Sequence, residues 1–257
     1  MRKKRGLSSE DARKVRAKGH KDALFFAELI GLESDYQNDL KAKKDVVDGQ
    51  GDSHSLKSGE KKWQIFLYSK NRFEEDYGWS GMNGIGDTMV ECIEAFPEDF
   101  DDYQSNKKEC KKKLETPMVE LAEKLSDEKN RKNFFSKSLF NGGEVDYLTI
   151  KEGDQYHVFY NRDVVDTFSE NLNIENSKAR NSGQCDNQKV VFKYENKNLC
   201  EIEMRNDSKV HYREVRFNML KKPALNLLKS EVELKKEECD GKILIYGKAA
   251  KKFKIAK

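Results

Sequence analysis

The stretch that most restricts the fold is Lys43 to Phe73, where a turn containing two glycines separates two short strand-like runs. Asp45-Val46-Val47 is short and β-branched, and Asp48-Gly49-Gln50-Gly51 has turn chemistry. A loop over Gly49 to Gly51, with Gly51 in the left-handed conformation such a hairpin needs, sets the register. Asp48 then faces Asp52, and Asp45 lies opposite Ser55. Lys57 shares the Ser55 face, because side chains along a strand alternate with period two. A carboxylate, a hydroxyl and an ammonium group are thereby expected on one patch, suited to a divalent metal and a phosphate. Ser58-Gly59-Glu60 turns the chain, and Trp63, Phe66 and Leu67 are spaced as in a helix over 61–73. Gln64 and Tyr68 would then stack on one helix face.

Enough chain is present for one large domain or two modest ones: 257 residues, 36% hydrophobic and 37% charged. Net charge is only +3, from 49 basic and 46 acidic residues, so attraction to an anionic partner must come from local clusters. Such clusters occur at Arg2 to Arg5, Lys107 to Lys113 and Lys248 to Lys254. The five cysteines are widely spaced and form no CxxC pair, which argues against a disulfide framework or a zinc knuckle. No apolar run approaches a membrane span and no signal-peptide core follows the basic N-terminus. A soluble, cytoplasmic protein is expected, with no membrane partner.

Before Asn141-Gly142-Gly143 the pattern is mostly helical; after it, strands dominate. A helix starting at Ser8-Ser9 is expected to break at Gly19, with a second from His20 to Ile30 ending at Gly31. Pro117 is expected in the first turn of its own helix. The glycine-rich stretch Gly78 to Gly86 lacks the spacing of a phosphate-cradling loop and is expected to be a connector. Hairpins are expected around Glu152-Gly153-Asp154 and between Tyr194 and Asn198. The expected fold class is α/β (α+β), with a strand-rich C-terminal half. Residues 1–135 are expected to form a helix-rich region holding the hairpin at 43–58. Residues 136–257 would form a strand-rich region, across a boundary soft enough for one continuous domain.

Hydrolysis of a phosphodiester with a metal needs an anchoring carboxylate and a lysine that steadies water or phosphorus. Asp45 and Lys57 fit those roles. At this point the chain resembles the PD-(D/E)XK nuclease superfamily, and within it the type II restriction endonucleases. The residues that carry the resemblance are Asp45, Ser55-Leu56-Lys57, and the run from Lys57 to Tyr68, in which Gln64 and Tyr68 echo a QxxxY element. It departs from the pattern at Lys44, where a proline is usual, and at Ser55, where an acid is usual. The resemblance implies a restriction-endonuclease-like fold with a mixed sheet flanked by helices, Mg²⁺-dependent cleavage of double-stranded DNA, and phage defence beside a cognate DNA methyltransferase. Its implied catalytic set is Asp45, Ser55, Lys57, Glu28 and Gln64. The metal would be held by Asp45, the Leu56 carbonyl and Glu28, or by the first two with waters.

Base edges are read best by Arg or Lys at guanine and by Asn or Gln at adenine. Lys178, Arg180, Gln184 and Asp186 lie in one polar segment that leads into Gln188 and Lys189. Arg205, Asn206 and Asp207 form a second cluster, before Tyr212 and Arg213. Both are candidate DNA contacts, while Lys193, Lys197 and Lys209 suit phosphates. A rival acidic site would use Asp186, Glu201 and Glu203 with Arg205. A palindromic target would favour a homodimer. A non-catalytic DNA-binding protein and an interaction protein without a nucleic acid partner are the alternatives.

Overall fold

The computed structural model describes residues 9–32, 44–206 and 209–255. Helix α1 (Ser9–Leu29) leads to the hairpin of β1 (Val46–Val47) and β2 (Ser53–Lys57), and then to β3 (Lys62–Tyr68). A helical stretch follows: α2 (Lys70–Glu75), α3 (Tyr77–Ser80), α4 (Ile85–Glu94), α5 (Phe100–Ser105), α6 (Lys107–Ser126) and α7 (Glu128–Phe140). Next come β4 (Tyr147–Glu152), β5 (Gln155–Tyr160), α8 (Asn161–Asn171), β6 (Asn173–Asn176), β7 (Lys189–Tyr194), β8 (Lys197–Met204) and β9 (Val215–Leu220). The described chain closes with α9 (Lys221–Glu231), β10 (Leu234–Glu238), β11 (Ile243–Tyr246) and α10 (Ala249–Lys252).

This is an α+β fold with two sheets, one mixed and one antiparallel. The chain divides into two units, and the division is not the linear one expected near 135. The first unit joins Met1–Lys61, Gly143–Val164 and Leu228–Lys257; the second joins Lys62–Gly142 and Val165–Leu227. The chain leaves and re-enters each unit, a long-range arrangement that composition along the sequence does not report.

The first unit holds the mixed sheet, in the order β1-β2-β4-β5-β11-β10. One face carries Val46, Leu56, Tyr147, Tyr156, Val158 and Ile245, all packed with Ala23, Phe26, Ala27 and Ile30 of α1. Phe253, just after α10, joins the same cluster. Helix α1 runs unbroken through Gly19, where an added Cβ would meet nothing, so the expected interruption is absent. It ends as expected at Gly31, whose φ of 83° lets the Leu32 N–H reach back to the Ala27 carbonyl.

The second unit holds the antiparallel sheet, in the order β3-β9-β8-β7-β6. The 61–73 segment is not one helix: Lys62–Tyr68 is a strand and only Lys70–Glu75 is helical. The pairing slips between Gln64 and Phe66, which inserts one residue and buries both Trp63 and Phe66 on the side of the core. That bulge mimics the i, i+3 spacing of a helix. Phe66 packs edge-on to Phe73, Trp79 and Phe134, and Phe217 leans on it at 5.6 Å. Pro117 lies inside the continuous helix α6 and does not start a new one. Helix α7 was not expected from the sequence; its N-cap Asp127 accepts the Asn130 N–H, and Asn141 closes it in the left-handed region.

Candidate functional site

The hairpin forms in the expected register. Val46 pairs with His54 and Val47 with Ser53, Asp48 N–H donates to the Asp52 carbonyl at 2.8 Å, and Gly51 takes a φ of 87°. Asp48 builds the turn: its Oδ1 accepts the backbone N–H groups of Gln50 (2.8 Å) and Asp52 (3.0 Å). Its Oδ2 lies 3.7 Å from His54 Nε2, and both side chains are buried. Burial pushes the Asp48 carboxyl upward, but the His54 ring and the two N–H groups outweigh it and hold it below the usual range. His54 points into the α1 side of the sheet, between the rings of Phe26, Tyr147 and Phe253, and shares a 2.9 Å hydrogen bond with Thr149. Burial lowers its pKa. Two more acids tie the hairpin to β4: Asp52 accepts the Tyr147 hydroxyl at 2.8 Å, and Asp146 accepts the Ser53 N–H at 2.8 Å.

The other side of β2 carries the candidate chemistry. Asp45 Oδ2 accepts the Leu56 N–H at 2.7 Å and lies 3.9 Å from Lys57 Nζ. Lys57 Nζ donates to the buried Ser55 hydroxyl at 2.7 Å. Lys57 is 21% exposed and Asp45 39%, so both reach solvent from a half-buried notch. Burial pulls the Lys57 pKa below its ordinary value, with Asp45 opposing the shift. In a strand, the N–H and C=O of one residue point the same way. Since the Leu56 N–H goes to Asp45, the Leu56 carbonyl is directed to the same strand edge, beside that carboxylate.

Glu28 is not brought to this patch. It is exposed on α1, the helix that covers the face carrying Leu56 and His54, and Ser55 and Lys57 lie on the opposite face. The acid that α1 turns into the protein is Asp22, which is buried and paired with Lys151 of β4. Gln64 is exposed on the strand β3, so its expected stacking with Tyr68 on a helix face does not form. Among the described residues no three His, Cys, Asp or Glu side chains converge on a metal site. The oxygen donors at this strand edge are the Asp45 carboxylate and, from the direction of its N–H, the Leu56 carbonyl. That set fits Mg²⁺, which takes one or two carboxylates and completes its shell with water and phosphate oxygens.

In the second unit, one face of the antiparallel sheet floors a cleft of about 560 Å³. Lys178, Arg180, Gln184, Gln188, Lys189 and Asn206 line it, as do Glu201 and Glu203. The segment from Ser177 to Gln188 is held by its own bonds: Asp186 accepts the Ala179 N–H, Gln184 accepts the Arg180 N–H, and Gln188 Nε2 reaches the Lys111 carbonyl. Glu203 accepts from Arg216 and Asn218 and pairs with Lys189 at 2.5 Å, and Lys189 also meets Glu201 at 3.0 Å. Lys189 thus serves both acids, and Arg216 is a second basic partner of Glu203. Tyr212 is buried, its ring against Tyr103 and its hydroxyl on the Pro97 carbonyl at 2.9 Å, so it is a core residue and not a base reader. Arg213 pairs with Glu98, the Arg205 N–H donates to the Glu214 carbonyl, and Asp207 lies outside the described residues.

All five cysteines are free thiols. No helix among the described residues is long and apolar enough to cross a membrane. No family model, no curated protein and no solved structure matches the chain.

Proposed function

We propose that the chain is a sequence-specific, Mg²⁺-dependent endonuclease of double-stranded DNA, of the type II restriction class, acting in the cytoplasm beside a cognate methyltransferase. The observation that carries the reading is the Asp45–Leu56–Lys57 arrangement: a carboxylate that accepts the Leu56 N–H at a strand edge, with a lysine nitrogen 3.9 Å from it. Asp45 and the Leu56 carbonyl would hold the metal, which supplies Lewis-acid polarisation of a phosphate oxygen and a more acidic water. Lys57, half-buried and donating to Ser55, presents an N–H to a phosphate oxygen or to the attacking water. Ser55 fills the place of a second acid and orients the lysine without adding negative charge. At the rim of the second unit's cleft, exposed Lys178 and Arg180 suit nucleic-acid phosphates. A two-fold target would be met by a homodimer.

The test is incubation of the protein with unmethylated plasmid or phage DNA, with and without Mg²⁺. Discrete fragments that need the metal support the reading. A gel shift without cleavage, or no interaction, overturns it in favour of a DNA-binding module or of an interaction protein.

A further inference from the structure

The second-unit cleft has a shape and a polarity that duplex grooves do not match. Reading the major groove needs a protruding helix or ribbon, because base edges lie about 8.5 Å below the phosphate ridges. Here the polar floor is recessed: Glu201 and Lys189 are half-buried on the sheet, and Lys178, Arg180 and Gln184 stand exposed around it. A recessed floor suits a group that projects from its strand. Leu114, Val191 and Met204 also line the cleft, each nearly buried, so that only their edges face it.

The floor also has a defined hydrogen-bonding sense. Glu203 is saturated by Arg216, Asn218 and Lys189. Glu201 meets Lys189 through Oε2 and is 24% exposed, so a carboxylate acceptor and an ammonium donor sit side by side at solvent. Lys189 stays cationic, since Glu203 and Glu201 outweigh its burial. With Glu201 and Glu203 beside Lys189, the floor is less suited to a phosphate than the Lys178–Arg180 rim is. An exocyclic amino group next to a ring nitrogen finds an acceptor and a donor in matching order.

We propose that this cleft binds an unstacked nucleobase bearing an exocyclic amino group, base inward on Glu201 and Lys189, with the backbone on the Lys178–Arg180 rim. The inference takes from the proposed function only that nucleic acid is the partner.

The experiment is fluorescence anisotropy of the full chain in EDTA with labelled oligo(dC) and oligo(dT) of equal length, which present equal backbone charge. Oligo(dC) is expected to bind at least about fivefold more tightly, the lower end of one good base contact. Glu201→Gln should abolish that preference and leave oligo(dT) binding within about twofold. Arg180→Ala, on the exposed rim, should weaken both oligonucleotides alike. Equal affinities in the unaltered protein, a preference that survives Glu201→Gln in a protein with unchanged circular dichroism, or no binding to either oligonucleotide overturns the inference. Equal affinities in an unaltered protein that still cuts duplex with Mg²⁺ refute the cleft assignment alone. A clear preference in a protein that cuts nothing refutes the nuclease reading and keeps the cleft.

Discussion

Replacing Asp48 with alanine should loosen the hairpin that carries Asp45 and Lys57, by an amount the turn geometry bounds. The carboxylate is buried and accepts two backbone N–H groups, at 2.8 and 3.0 Å. Hydrogen bonds to a charged group contribute roughly 1.5–3 kcal/mol each. Gln50 is exposed, so water replaces part of what its N–H loses. A total cost of about 2–4 kcal/mol follows for Asp48→Ala, and less for Asp48→Asn, which keeps an acceptor oxygen. The effect also has a pH signature. The folded pKa of Asp48 lies below its ordinary value, so the carboxylate favours folding above the unfolded pKa, and that contribution fades as pH falls through the folded pKa. Urea unfolding of both proteins at neutral pH and at progressively acidic pH is the assay. The stability gap should be widest near neutrality and shrink below about pH 4, the unfolded carboxylate range. A gap under about 0.5 kcal/mol at neutral pH, the level of an ordinary surface substitution, would refute the role assigned to Asp48. So would a gap that stays constant into acid.

Other outcomes follow from neighbouring features. Glu28→Gln should leave DNA cleavage within about twofold of the unaltered protein, as expected for an exposed side chain facing away from the patch; a steady-state cutting assay checks this. Arg131→Met should destabilise by about 3–5 kcal/mol in chemical denaturation. Its guanidinium is buried and donates to the carbonyls of Leu125, Ser126 and Ser169, which are then left without a donor. Lys57→Met should not lower the melting temperature, because burial disfavours the ammonium form; a loss beyond about 1 kcal/mol would contradict that.

The hairpin was legible in the sequence because everything that fixes it is local. Asp48, Gly49 and Gly51 dictate the turn, and a period of two then places Asp45, Ser55 and Lys57. Glu28 was out of reach for the opposite reason, since which sheet face α1 covers is decided by Phe26 and Ile30 packing on residues far along the chain. Two bulges hid the rest. At Gln64/Phe66 an inserted residue made a strand read as a helix. At Phe192/Lys193 another shifts the β7–β8 pairing so that Lys189 meets Glu203, a partnership the simple two-residue hairpin through Glu195 and Asn196 does not predict. The α6 proline shows that a residue suited to a helix start is also accommodated inside a long helix. The interleaving of the two units depends on contacts between segments far apart in the chain, such as β2 with β4 and β5 with β11.

The central claim is that Asp45 and Lys57 work together on a metal and a phosphodiester. Single-turnover cleavage of supercoiled plasmid in Mg²⁺, run beside a binding assay in Ca²⁺, tests it most directly with Lys57→Ala and Asp45→Asn. Both variants are expected to bind DNA within severalfold of the unaltered protein and to cut at least about a hundredfold more slowly, the scale of a lost general acid–base group. Cleavage by Lys57→Ala at the unaltered rate would contradict the account.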